Sequence, residues 1–360
     1  MTYKFSKIAV KIGSNVLTRD DGTLDVTRMS ALVDQLALLW KAGVSVILIS
    51  SGAVASGKSE ISTSRRLDSV SQRQVYSAVG QVKLINRYYE LFREHHVPVG
   101  QVLTTKESFG TRGHYLNQRN CMMAMLENGV LPIVNENDTV SVTELMFTDN
   151  DELSGLIASM MSVQALVILS NVDGVYDGSL SEEHACLIRN VGLGDDLSRY
   201  VQSGKSSSGR GGVWTKLRIA QKVAGEGIAV FIANGKRENV LTGLLQSPEG
   251  FPCTFFHPAL QSMSSVKKWI AHSGSFAKGA VYVNGTMAEA IRDGQVLSIL
   301  PVGVARIDGG FERDDIVRIL DDEGRQIAIG KSNLSSSEVS EVLGKHGQKP
   351  IVHYDYLYLE

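Results

Sequence analysis

The sequence predicts an α/β chain: a three-layer α/β/α sandwich around a mostly parallel sheet, followed by a small mainly-β domain. Three observations carry this. Short β-branched runs alternate with helical patterns through the first 235 residues, and those runs are apolar on both faces. After Phe256 the alternation gives way to short strands separated by glycine-containing turns. At 360 residues the chain exceeds what one core usually holds, so two domains are expected, over 1–256 and 275–360, with a linker over 257–274.

The strands are IAV at 8–10, VSVILI at 44–49, VPVGQVL at 97–103, VLPIV at 130–134, ALVILS at 165–170 and IAVFIA at 228–233. Between the first two, Thr27 is the expected N-cap of a helix carrying Met29, Leu32, Val33, Leu36, Leu39 and Trp40 at helical spacing, stopped by Gly43. Similar patterns run over 74–92, 115–126, 153–161 and 216–224. In the C-terminal region AVYV, VARI, DIVRIL and QIAIG read as strands and MAEAIRDG as a short helix.

Bulk charge excludes some roles. The 36 Lys+Arg against 38 Asp+Glu leave a net charge of −2, with no general attraction for nucleic acid or an anionic membrane. Cys121, Cys186 and Cys253 are odd in number and lack C-x-x-C spacing, so neither a disulfide framework nor a zinc site is expected, and a reducing cytoplasm is the expected home. No run approaches 18 uninterrupted apolar residues and MTYKFSKIAV has no apolar leader core, so a soluble, unprocessed protein is expected.

In an open parallel sheet, ligands bind beyond the carboxyl ends of the strands. The residues there are Lys11, Gly13 and Ser14; Ser51, Gly52 and Ala53; Asn135 to Asp138; Ser170 and Asn171; and Asn234 and Gly235. Lys11 ends an apolar strand beside a glycine turn rich in N–H groups, an arrangement suited to phosphate; position alone also allows a lysine reaching out to solvent. In GRGGVWTK, Gly211 and Gly212 precede Thr215 and Lys216 at a helix start, which fits either a phosphate-wrapping loop or an ordinary surface loop. In TDNDELSG, Asp149, Asn150 and Asp151 serve either as helix-start acids or as a magnesium ligand and an anchor for two lysines.

Residues 52–59, GAVASGKS, match the phosphate-loop pattern G-x-x-x-x-G-K-[ST], but the context argues against it. The residues after Lys58 are polar and aperiodic, and the strands ALVIL and VLPIV end in Ser170 and Asn135 where a magnesium-holding aspartate is needed. Gly52 and Ala53 are expected instead to open a short helix.

IAVKIGSNVLT, SSGAVASG, LPIVNENDTV, TDNDELSG and GGVWTK, in this order and spacing, closely resemble the amino acid kinase family, and within it the members that phosphorylate L-glutamate for proline synthesis. The trailing GAVYVNGTMAEAI, SILPVGV, FERDDIVRI and AIGKSNLSSSE look like a PUA domain. The resemblance covers nearly the whole chain. It implies transfer of the ATP γ-phosphoryl group to the glutamate side-chain carboxylate, with Mg2+ and without a general base. By resemblance Lys11 and Lys216 neutralise the transferring group and Asp151 orients them. The resemblance also implies that Ser51, Gly52, Ala53, Asp138 and Asn150 bind glutamate, that Lys11, Gly13, Ser14, Ser170, Asn171, Gly211, Gly212, Thr215 and Lys216 bind ATP, and that Asp149 is a candidate either for magnesium or for positioning the lysines. Proline as feedback inhibitor and a homo-oligomer, dimer or tetramer, are further implications. Two positions depart from the family: Ser170-Asn171 stands where many members have Thr-Asp, and Val213-Trp214 where a Met-Ser type pair is commoner.

Same-fold kinases act on N-acetylglutamate, aspartate or UMP; an acidic Asp138 in the acceptor pocket favours a free α-ammonium. PUA domains commonly bind structured RNA, but residues 276–360 hold nine Lys+Arg against thirteen Asp+Glu, a net of −4 that opposes phosphate contacts, so nucleic acid is not the expected partner.

Overall fold

A computed structural model of the chain describes residues 3–61, 67–140, 150–178, 185–197, 213–260, 263–295 and 297–359. The chain divides into two compact units, Met1–Ser262 and Met263–Glu360. In the first unit the strands are β1 (Lys7–Ile12), β2 (Ser45–Ser50), β3 (Val99–Thr104), β4 (Leu131–Glu136), β5 (Ala165–Ser170), β6 (Asn190–Val191), β7 (Ala229–Asn234) and β8 (Cys253–Phe256). The helices are α1 (Ser14–Leu17), α2 (Val26–Lys41), α3 (Ala53–Lys58), α4 (Ser69–Glu94), α5 (Arg112–Glu127), α6 (Asn150–Met160), α7 (Val213–Gly225) and α8 (Val240–Gln246).

The strands form one sheet in the order β3-β4-β2-β1-β5-β7-β8-β6, parallel throughout except between β7 and β8. Strands β1, β2, β4, β5 and β7 are buried almost end to end, as helices on both faces require. Ile8, Val10 and Ile12 join one core with α2, α4 and α8, so by strand alternation Ala9 and Lys11 face the other way, toward α6. Strands β2, β4 and β3 lie on one side of β1 and β5, β7, β8 and β6 on the other. The winding therefore reverses at β1, which opens a crevice at its carboxyl end.

Local chemistry explains one element that differs from expectation and one that agrees with it. The cap of α2 is Asp25, whose carboxylate accepts the Arg28 N–H at 3.0 Å, so Thr27 already lies inside the helix. GAVASGKS is a helix: Gly52, at φ +100, caps α3, and Lys58 is its exposed last residue. Gly57 faces the α4 backbone so closely that a Cβ there would stand 1.8 Å from the Tyr76 carbonyl oxygen, and one at Gly80 1.8 Å from that of Ala53. The pattern's second glycine therefore packs one helix against another.

The second unit comprises α9 (Ser265–Ala271), β9 (Gly279–Val283), α10 (Gly285–Arg292), β10 (Val304–Asp308), β11 (Ile316–Leu320), β12 (Gln326–Ser332), α11 (Ser336–Val342) and β13 (Val352–Leu359). Its sheet runs β10-β9-β11-β12-β13, with β9 and β11 parallel and the other pairs antiparallel. Val281, Val283, Ile291, Val317, Ile319 and Val352 centre its core. The span expected as a linker contains α9, whose Trp269 and Ile270 are buried.

Asp321, in the turn after β11, is fully buried; it accepts the Arg325 N–H at 2.8 Å and Nε at 2.9 Å, the Glu323 N–H at 3.0 Å, and a bond from Arg292 Nη2. Burial alone would raise its pKa, but the hydrogen bonds from Arg325 and Arg292 outweigh burial and bring it to about 2 from an ordinary 3.8. A depressed folded-state value stabilises the fold at every pH above the unfolded-state value, and that contribution is lost as pH falls through about 2. Asp321→Asn is accordingly expected to lower the melting temperature of the full chain at pH 7, with the gap to wild type narrowing below about pH 4. A gap that stays constant down to pH 3 contradicts this account.

Candidate active site

Three charged side chains meet at the carboxyl end of β1. Lys11 Nζ lies 2.5 Å from Asp151 Oδ1, and Lys216 Nζ lies 2.8 Å from Asp151 Oδ2. Asp151 is 1 % exposed and Lys11 5 %. In register, Lys11 sits between Ile49 of β2 and Ile168 of β5, so its ammonium is stable there only because a carboxylate faces it. Burial pushes the Asp151 carboxyl up, but the Lys11 and Lys216 ammonium groups more than reverse this and hold it below the usual carboxylate range. Its place in the first turn of α6 adds the favourable end of the helix dipole. One carboxylate thus holds two cations, from β1 and from the first turn of α7, on either side of a single point.

The adjoining helix start carries a second cluster. Asn150 Nδ2 lies 3.0 Å from the Ser50 carbonyl oxygen, 2.9 Å from Ser51 Oγ and 3.1 Å from Asn135 Oδ1. This amide ties the ends of β2 and β4 to the start of α6. Beneath it the buried Tyr88 hydroxyl lies 3.0 Å from Ser50 Oγ, and burial raises its pKa. Gly52 and Ala53 follow at the start of α3. Past the end of β4, Asp138 is 6 % exposed and accepts from Arg73 Nε at 2.7 Å and from Ser77 Oγ at 3.3 Å.

On the other side of β1, the Gly13 N–H donates to the Leu169 carbonyl at 3.1 Å, with Ser14 exposed beyond it. Ser170 and Asn171 leave the end of β5, and the Gly235 N–H donates to the Ser170 carbonyl at 2.8 Å. Thr215 stands one residue before Lys216, and Val213 and Trp214 are about half exposed at the start of α7. Asp149, Gly211 and Gly212 lie outside the described residues.

The structure therefore brings Lys11, Asp151 and Lys216 into direct contact, and likewise Ser51 and Asn150. The side chains that sequence reasoning missed are on α4: Arg73, Ser77 and Gln81 recur at i, i+4 and i+8 and reach Asp138, Glu136 and Asn135. That polar spacing was the available signal. Lys58, by contrast, is exposed at the far end of α3.

Among the described residues no group of three or more His, Cys, Asp or Glu could hold a metal, and no helix is long and apolar enough to cross a membrane. The chain is similar to known proteins. Residues 6–234 match the amino acid kinase family and residues 279–354 the PUA domain. A glutamate 5-kinase from Bacteroides thetaiotaomicron is 65% identical over 360 residues, covering 100% of both chains. One from Chlorobaculum tepidum is 44% identical over 357 residues, covering 99% of this chain and 98% of that protein. Among solved structures, an isopentenyl phosphate kinase substrate complex covers 70% of this chain and 100% of its own at a TM-score of 0.52 and 15% identity. A second isopentenyl phosphate kinase structure reaches 0.51 at 18% identity, over 69% of this chain and 99% of its own.

Proposed function

The chain belongs to the amino acid kinase family, as one of its glutamate 5-kinases with a C-terminal PUA domain, and we propose that phosphoryl transfer runs over the Lys11–Asp151–Lys216 centre. The enzyme moves the ATP γ-phosphoryl group to the side-chain carboxylate of L-glutamate, giving L-glutamyl 5-phosphate. A carboxylate is a competent nucleophile without losing a proton, so the obstacle is the approach of two anions. Lys11 and Lys216 offset the charge that gathers on the transferring group and on the departing β-phosphate. Asp151 holds both ammonium groups at 2.5 and 2.8 Å, so their placement costs no reorganisation as charge moves. This two-lysine contact is the observation that carries the reading.

Glutamate is assigned to the β2–β4 side. Asp138 takes the α-ammonium, while Ser51, the Asn150 amide and the backbone at Gly52 and Ala53 receive the α-carboxylate. ATP is assigned to the β5–β7 side, along Gly13, Ser14, Ser170, Asn171, Gly211, Gly212, Thr215 and Lys216. Mg2+ is ordinarily held by phosphate oxygens and one or two carboxylates. Both oxygens of Asp151 face lysines, so Asp149 is the carboxylate proposed beside the metal. Bound there, the metal would screen phosphate charge.

Proline as a competitor for the glutamate site belongs to the same proposal; a glutamate KM indifferent to proline removes it. The exposed apolar stripe Val75, Ala78, Val82 and Tyr89 on α4 supports a homo-oligomer, against which a monomer mass in solution would count. A cytoplasmic home is proposed on the same family grounds. The reaction itself is tested by incubating the chain with ATP, Mg2+ and single amino acids in hydroxylamine, which traps acyl phosphates as hydroxamates. L-Glutamate is expected to give product; product from N-acetylglutamate but not from glutamate would overturn the acceptor.

A further inference from the structure

Helix α4 turns a polar stripe toward the end of β4 that the phosphoryl-transfer chemistry does not itself employ. Gln81 Oε1 accepts from Asn135 Nδ2 at 2.9 Å, and Ser77 Oγ donates to Asp138 Oδ2 at 3.3 Å. One turn earlier, Arg73 donates through Nε to Asp138 Oδ1 at 2.7 Å, its Nη2 lies 2.5 Å from the same oxygen, and Nη2 also reaches Glu136 Oε2 at 3.2 Å. Glu136 and Asp138 are 2 % and 6 % exposed. Two buried carboxylates separated by one residue repel each other, and the planar guanidinium is the side chain suited to serving both.

The two oxygens of Asp138 are treated differently. Oδ1 receives both short contacts from Arg73, whereas Oδ2 receives the longer bond from Ser77. The carboxylate is therefore gripped more closely at Oδ1 than at Oδ2.

We infer that Arg73 is a positioning residue for the acceptor amino acid: by gripping Oδ1 it sets the orientation in which Asp138 Oδ2 meets the substrate's α-ammonium. This rests on the assignment of Asp138 to that ammonium. Arg73 acts through Asp138, so its removal weakens glutamate binding and leaves the Lys11–Asp151–Lys216 centre intact.

The test is a double-mutant cycle in the full chain, with Arg73→Ala, Arg73→Lys, Asp138→Asn and the Arg73→Ala/Asp138→Asn pair, reading kcat and the KM of each substrate. Arg73→Ala is expected to raise the glutamate KM about tenfold or more, with ATP KM within about twofold and kcat at saturating glutamate within about fivefold. Arg73→Lys should recover part of the loss, because an ammonium keeps the charge but cannot fork; it also carries the test if the alanine variant fails to fold. The double variant should have a glutamate KM no higher than Asp138→Asn alone. Additive losses overturn the positioning role while leaving the glutamate site in place. An unchanged glutamate KM in Asp138→Asn overturns the site assignment, and this inference with it.

Discussion

Replacing Lys216 with Ala is expected to lower kcat about a thousandfold or more while changing the glutamate KM less than about threefold. A preorganised cation beside a transferring phosphoryl group acts mainly as charge redistributes, so its loss falls on turnover and spares ground-state binding of the acceptor. Glutamate is assigned to side chains at the ends of β2 and β4 and the start of α6, whereas the Lys216 ammonium is held by Asp151. The substitution also takes from Asp151 Oδ2 the ammonium 2.8 Å away, at a cost on the order of 1–3 kcal/mol of stability. Melting curves recorded beside the kinetics separate that effect. Lys216→Arg should restore stability more fully than rate, because a forked guanidinium does not reproduce a compact ammonium. A Lys216→Ala enzyme keeping a tenth of wild-type kcat removes this lysine from the reaction.

The second large effect concerns Gly80→Ala, one methyl group in the middle of α4. An added Cβ would lie 1.8 Å from the Ala53 carbonyl oxygen and 2.4 Å from the Gly57 nitrogen, both rigid backbone atoms. Helices α3 and α4 must separate to admit it, and α3 cannot shift without carrying Gly52 and Ala53 along. A loss on the order of 3 kcal/mol or more is expected in urea unfolding of the full chain, although alanine is the better helix former by about 1 kcal/mol. Surviving folded enzyme should show a raised glutamate KM with a nearly normal ATP KM. A wild-type urea midpoint together with a wild-type glutamate KM would show that the close approach is dispensable.

The fold was legible where periodicity is strong. The runs ending at Lys11, Ser50 and Ser170 are apolar on both faces because helices cover both sides of the sheet, and that condition leaves a direct trace in composition. Less visible were β8, four residues pairing antiparallel to β7, and α9, whose Trp269 and Ile270 are too few to set a period. The candidate site was legible residue by residue, since a lysine ending a strand and an aspartate opening a helix each have a chemical reason to be there. Their meeting was not legible from spacing: Lys11 and Asp151 are 140 positions apart and are joined by the order of strands. Arg73, Ser77 and Gln81 escaped notice because the polar face of an amphipathic helix reads as solvated. GAVASGKS shows the converse, a pattern whose glycine answers to helix contact.

The reversal of winding at β1 partitions the labour of the fold. Side chains assigned to the acceptor sit at the ends of β2 and β4 and the start of α6, and those assigned to the donor follow β1 and β5 and open α7, with Lys11 on the seam between them. Mutational drift on the flank assigned to the acceptor is expected to retune which small molecule is accepted without altering the flank assigned to ATP. Such an architecture is evolvable by halves, and substrate choice should be transplantable by exchanging, as a block, the segment from β2 to the start of α6, which includes Asp138 and Asn150.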